Sequence, residues 1–215
     1  GISSVNILSL ILGGILLWAF LWRTSQDLVV YLLEHYWSRS IYHLFITPIK
    51  SSEFVISLCL LGIIRSTIVF GIMAVLSYAL YNFNIFSFNW LDMTLLISIL
   101  LLIGWTIGIA VSSLVFVFGS RVQVLAWSAI WVIQPFSCVF YPLKSLPPWA
   151  GKIAAVLPTT HIFEQMRASI NNLPINYGSV LYSLIFTLIA LVLFSFILAA
   201  SVKKARKLGT FAKPE

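Results

Sequence analysis

No charged residue stands between Ile2 and Trp22, and the chain returns to apolar runs of this kind four more times. About 20 apolar residues in a helix cross the ~30 Å hydrocarbon core of a bilayer. Runs of that order cover residues 2–22, 54–81, 93–118, 122–140 and 178–202, the second interrupted only by Arg65. Lipid offers no hydrogen bonds to a backbone, so segments of this length must satisfy their own as helices. The expected fold is an all-α membrane protein with five transmembrane helices. Only 9% of the residues are charged, against roughly 25% in soluble domains. At 215 residues, a single membrane domain over 1–215 is the expected organisation.

The net charge of +7 does not indicate nucleic acid, because the basic residues sit at the ends of the apolar runs. One side collects Arg23, Arg39, Lys50 and Arg121, with Lys203, Lys204, Arg206, Lys207 and Lys213 of the tail. The other holds Lys144, Lys152 and Arg167. The positive-inside rule then puts the C-terminus in the cytoplasm of a multi-pass inner (cytoplasmic) membrane protein. The basic tail anchors the last span and is placed to meet anionic lipid. Cys59 and Cys138 lie inside apolar runs and read as small buried hydrophobes rather than a disulfide or metal pair.

The long polar interruption between the first two spans predicts an amphipathic helix over 33–47. At 100° per residue, Leu33, Trp37, Ile41, Leu44 and Phe45 share one arc, and His35, Arg39, Tyr42 and His43 share the other. Glu34 stands at the edge of the apolar arc, and Pro48 ends the helix. A polar helix beside a cytoplasmic basic cluster belongs in or under the membrane interface.

The region 143–171 fits neither a span nor an ordinary loop. Pro142, Pro147, Pro148 and Pro158 cut it into short helices, and Thr159 or Thr160 is placed to cap the second. Non-helical backbone at membrane depth packs on protein or lines a wet cavity, so two helices re-entering the outer half of the membrane are expected. His161, Glu164 and Arg167 stand three apart on one face and form a local polar network. A hydrolase would need a nucleophile beside His161, and Thr160 is the only candidate. HExxH, GxSxG and the P-loop GxxxxGK[ST] are absent from the sequence.

Three further features stand inside the spans. Arg65 lies thirteen residues beyond Ser52, about 20 Å along a helix, where a lone charge costs about 3 kcal/mol or more. No acidic residue falls at matching depth in another predicted span, so Arg65 is read as bonded to neighbouring carbonyls or as a pathway or gating residue. Gln134-Pro135 breaks the fourth span, and Gln134 either faces a path or satisfies the freed backbone. Gly104 and Gly108 form a small-xxx-small pair suited to close helix packing, within the subunit rather than at a dimer seam.

Taken in order, these residues resemble the permease subunit of an ABC-2 type exporter. The resemblance is carried by Leu33-Glu34, Trp37-Ser38-Arg39 and Leu44-Phe45-Ile46-Thr47-Pro48, then by Tyr141-Pro142, Leu146-Pro147, Leu157-Pro158-Thr159, Glu164 and Arg167. It implies an ABC-2 helical bundle of six spans, the first of which would precede Gly1. It makes 33–47 a cytoplasmic coupling helix, with Glu34, His35, Trp37, Arg39, Tyr42, His43 and Pro48 as its functional residues. Tyr141 to Ala168 would be the outer re-entrant pair, and Arg65, Gln134 and Pro135 candidates for the translocation path. It implies a nucleotide-binding ATPase subunit carrying ATP and Mg, a second permease copy, and no cofactor in this chain. Hydrophobic drug-like, lipid or glycan substrates fit equally. The rival readings are a membrane-embedded enzyme acting on lipid-linked substrates at the outer face, which would use His161 or Glu164, and an assembly protein.

Overall fold

The computed structural model describes residues 4–37, 51–85, 89–118, 122–171 and 173–208. Within them the chain forms seven α-helices: α1 (Ser4–Trp37), α2 (Ser51–Tyr81), α3 (Trp90–Phe118), α4 (Gln123–Ile133), α5 (Pro148–Val156), α6 (Pro158–Ile170) and α7 (Tyr177–Leu208). Four are long and apolar enough to cross a membrane, over Ile7–Glu34, Ile56–Tyr81, Trp90–Phe118 and Tyr177–Lys204. They stand in the order α2, α1, α3, α7, each packed on the next.

Two of the expected boundaries are corrected. The first span does not end at Trp22, and no separate helix begins at Leu33. Instead α1 continues through Arg23, Asp27 and Glu34 to Trp37, 34 residues or about 51 Å. No glycine or proline occurs between Ile15 and Thr47 to break it. Leu33 is buried with Leu32 and Leu28 in the bundle core. The rest of the predicted helix, residues 38–47, and its Pro48 stop lie outside the described residues.

The second correction concerns 122–140, which is not a full span. The helix α4 has 11 residues and tightens into a 3₁₀ turn over Gln134–Ser137. Pro135 has no N–H for the carbonyl of Trp131, which ends the α-helical pattern. Cys138 then takes a left-handed conformation at φ 53° and reverses the chain. Four candidate spans, rather than five, are therefore present among the described residues.

Two apolar clusters fill the bundle, one towards each end. Leu16, Leu17 and Leu21 of α1 meet Leu96 and Leu100 of α3 and Phe163 and Met166 of α6. At the other end Leu28, Leu32 and Leu33 meet Leu58 of α2, Val115 of α3 and Leu198 of α7. The crossing of α1 and α3 depends on two glycines. A Cβ on Gly104 would lie 2.9 Å from Thr24 Cβ, and one on Gly108 would lie 3.0 Å from the Ser25 carbonyl. The small-xxx-small pair is thus a contact within the chain.

Candidate functional site

Between the two apolar clusters, α1 buries four consecutive polar residues, Thr24, Ser25, Gln26 and Asp27. Consecutive residues point to different faces of a helix, so α1 is enclosed all round at this level. Thr24 returns its hydroxyl to the carbonyl of Phe20 at 2.8 Å. Asp27 is paired along the same helix with Arg23, Oδ1 to Nη2 at 3.3 Å, and across to Arg65 Nη1 of α2 at 4.0 Å. The Arg65 guanidinium also lies 4.8 Å from the centre of the Tyr31 ring, a cation–π geometry. Gly62, one turn before Arg65, leaves room for the Asp27 side chain, whose Cβ is 3.9 Å from where a Cβ on the glycine would stand.

The partner of Arg65 is therefore a carboxylate and an aromatic face, and the expectation of no acidic residue at its depth is corrected. Hydropathy puts Asp27 in a polar linker, yet the continuous α1 carries it into the bundle opposite Arg65. Its signal in the sequence is the Arg23–Asp27 spacing of four, which lets the two neutralise each other on one helical face. The cluster holds two guanidinium groups and one carboxylate. The Asp27 side chain is 6% exposed, while those of Arg23 and Arg65 are 34% and 42% exposed. Asp27 Oδ2 has no hydrogen-bond partner among the described residues. Such an arrangement joins α1 to α2 by charge and leaves both arginines partly accessible.

A second constellation closes the broken end of α4. Four carbonyls at and beyond the proline break meet side-chain donors. Ser137 donates to Ile133 O at 2.9 Å, the Tyr141 hydroxyl to Pro135 O, and Thr160 to Phe136 O at 2.9 Å. Arg167 Nη1 donates to Val139 O at 3.3 Å. Glu164 Oε1 accepts from the Leu143 amide at 2.8 Å and from Arg167 Nη2 at 2.9 Å. Burial pushes the Tyr141 phenol above its ordinary range, which keeps it a neutral donor.

The threonines serve differently from the expectation. Leu157 is the N-cap of α6, without a side-chain cap, and Pro158 occupies the first turn, where its missing N–H costs nothing. Thr159 instead shares a 2.8 Å hydrogen bond with Ser137. Pro158 is buried, its carbonyl accepting from Ser183 Oγ of α7 at 3.1 Å. His161 Nε2 contacts the carbonyl of Ala155 at 2.9 Å, and its ring stacks edge-on against Tyr182. Thr160 and His161 thus face separate backbone carbonyls, which is not the nucleophile–base pairing of acyl transfer. Glu164→Ala is expected to strand the Leu143 amide and Arg167, costing about 1–3 kcal/mol. A thermal melt of the purified protein measures it, and an unchanged melting temperature would refute the clasp.

The remaining predicted residues fall apart from these groups. Gln134 ends α4 beside Pro135, and Pro142 precedes the 3₁₀ turn Leu143–Ser145. Arg65 packs on Asp27 and Tyr31. Glu34, His35 and Trp37 fall in the last turns of α1. Arg39, Tyr42, His43 and Pro48 lie outside the described residues. Compared with known families, residues 4–171 match the family model described as ABC-2 type transporter. A search of curated proteins found no match.

Proposed function

The chain belongs to the ABC-2 type transporter family, and from that premise we propose that it is the permease of an ATP-driven exporter. It is an all-α multi-pass membrane protein and the transport component of an ABC transporter. In our reading its cargo is a hydrophobic drug-like, lipid or glycan-bearing molecule that leaves the cytoplasm chemically unchanged. ATP and Mg would bind a separate ATPase subunit, and two permease copies would enclose the path in the inner membrane, with their C-termini cytoplasmic.

The observation that carries this reading is the family match, which covers α1 through the end of α6. The continuous α1 adds a mechanical reason. Nucleotide binding would close the ATPase subunits, and residues 33–47 would receive that motion at the end of a rod reaching across the bundle. Rocking of α1 against α2 then changes the 4.0 Å separation of Asp27 and Arg65, so the charge cluster would open and close with the transport cycle. Gln134 and Pro135 would border the path where α4 breaks.

The test is the permease co-purified with its ATPase in proteoliposomes. Glu34→Ala with Arg39→Ala should lower transport and permease-stimulated ATP hydrolysis by about tenfold, a coupling loss within the usual range. Full retention of both would remove the coupling role from this helix.

A further inference from the structure

We infer that the outer half of the bundle contains a lipid site, holding an acyl chain of an anionic phospholipid in a cavity between α3, α4 and α7. The cavity measures about 200 Å³ and is partly open. Ile103 and Ile107 of α3, Ile133 of α4, Leu157 before α6, and Ala190 and Phe194 of α7 line it. Three hydroxyl-bearing residues also line it, and each hydroxyl is already committed. Thr106 bonds the Leu102 carbonyl at 2.8 Å, Thr187 the Ser183 carbonyl at 2.6 Å, and Thr159 the Ser137 hydroxyl. The Pro158 carbonyl is taken by Ser183.

A water needs two to four polar partners, and apolar cavities of about 150 Å³ stay dry and take up hydrocarbon. Apart from three hydroxyls already bonded to protein atoms its lining is apolar, so this cavity suits an alkyl chain and not a polar cargo. Trp131 of α4 and Ile189 and Leu193 of α7, close in sequence to lining residues, are exposed, so the cavity lies beside a surface suited to the hydrocarbon of the bilayer.

The headgroup partner stands at the outer end. Helix α5 presents Trp149, Ile153 and Val156 outward and buries Ala150 and Ala154. An exposed apolar face with a Trp and a Lys is the composition of a helix lying in the membrane interface. Lys152 is exposed and makes no ion pair among the described residues. It lies five residues from Leu157 of the cavity lining, about 8 Å along a helix. Tyr182 ties the two elements by donating to the Val156 carbonyl at 3.1 Å. The ammonium of Lys152 is thereby placed to pair with the phosphate of a lipid whose chain fills the cavity.

Photolabelling of the full-length protein in native-lipid nanodiscs tests this. The probe is phosphatidylglycerol with a diazirine midway along one acyl chain, run beside the same phosphatidylcholine. Adducts are expected on peptides containing Ile107, Ile133 and Phe194, with phosphatidylglycerol favoured over phosphatidylcholine. Ala190→Phe, which fills the cavity, should cut those adducts about tenfold. Ile72→Phe, on the exposed face of α2 away from the cavity, should leave them unchanged. Lys152→Glu should abolish the headgroup preference and keep the chain adducts. Thr106→Leu serves as a second filling variant should Ala190→Phe fail to purify. Adducts spread evenly over the exposed faces of α2 and α7, or absent from the cavity peptides, would overturn the site. So would labelling displaced by a transported compound, which would make the cavity a cargo subsite.

Discussion

Asp27→Asn is expected to be the most damaging single change of charge in this chain, and Arg65→Gln added to it is expected to restore most of the loss. The substitution removes the carboxylate that stands between Arg23 and Arg65 and leaves two cations facing each other in an apolar bundle. Breaking a buried ion pair from one side costs about 3–5 kcal/mol. The partial exposure of both arginines sets the expected loss near the lower bound, about 3 kcal/mol. Replacing Arg65 as well leaves two neutral amide side chains facing each other and only the snorkelling Arg23 charged. The measurement is a double-mutant cycle on melting temperature and on monodisperse yield after detergent extraction. Additive single effects would show that Asp27 and Arg65 do not interact, and the ion pair would then carry no part of the α1–α2 joint.

Why this pair escapes a reading of the sequence is a matter of counting charges singly. Arg23, Asp27 and Glu34 look like the start of a cytoplasmic linker when each is set against a hydropathy threshold. On one helix Arg23 and Asp27 nearly cancel, and Thr24 finds its partner four residues back, so the helix need not stop. The proline breaks are legible because their effect is local. Pro148 and Pro158 open α5 and α6 where the sequence places short helices. The break of α4 at Pro135 is legible, but the reversal after it is not, since the residues up to Phe140 remain mostly apolar while the backbone turns back. The clasp of Glu164 and Arg167 is visible as a spacing of three. Its targets, the Leu143 amide and the Val139 carbonyl, depend on a chain reversal that no periodicity reports.

Gly108→Ala is the second large expected effect, because a single methyl group there has nowhere to go. Its Cβ would stand 2.9 Å from Leu28 Cδ1, 3.0 Å from Leu28 Cβ and 3.0 Å from the Ser25 carbonyl oxygen. A side-chain end can rotate away, but the carbonyl belongs to the backbone of α1. The helices must separate, at an expected cost of about 1–3 kcal/mol, and Gly108→Leu should prevent a monodisperse fold. Gly71→Ala is the matched control, since nothing lies within 4 Å of a Cβ at that site. It should fall within about 0.5 kcal/mol of the parent protein. Equal melting temperatures for the two alanine variants would show that α1 and α3 do not cross at Gly108.

The position of that crossing gives α1 the mechanics of a seesaw. The fulcrum lies near Ser25, where Gly104 and Gly108 press against Thr24, Ser25 and Leu28. Trp37 and Gly14 then sit at nearly equal arms, each about 17 Å away. A beam with no hinge transmits a displacement between such points undiminished and reversed. Inward travel at the Trp37 end becomes outward travel at Gly14, whose backbone abuts the Val139 carbonyl so closely that a Cβ would come within 2.8 Å of it. That carbonyl is also held by Arg167. A stroke delivered at one end of α1 would therefore arrive, inverted, at the buckle that fastens α6 to the broken end of α4.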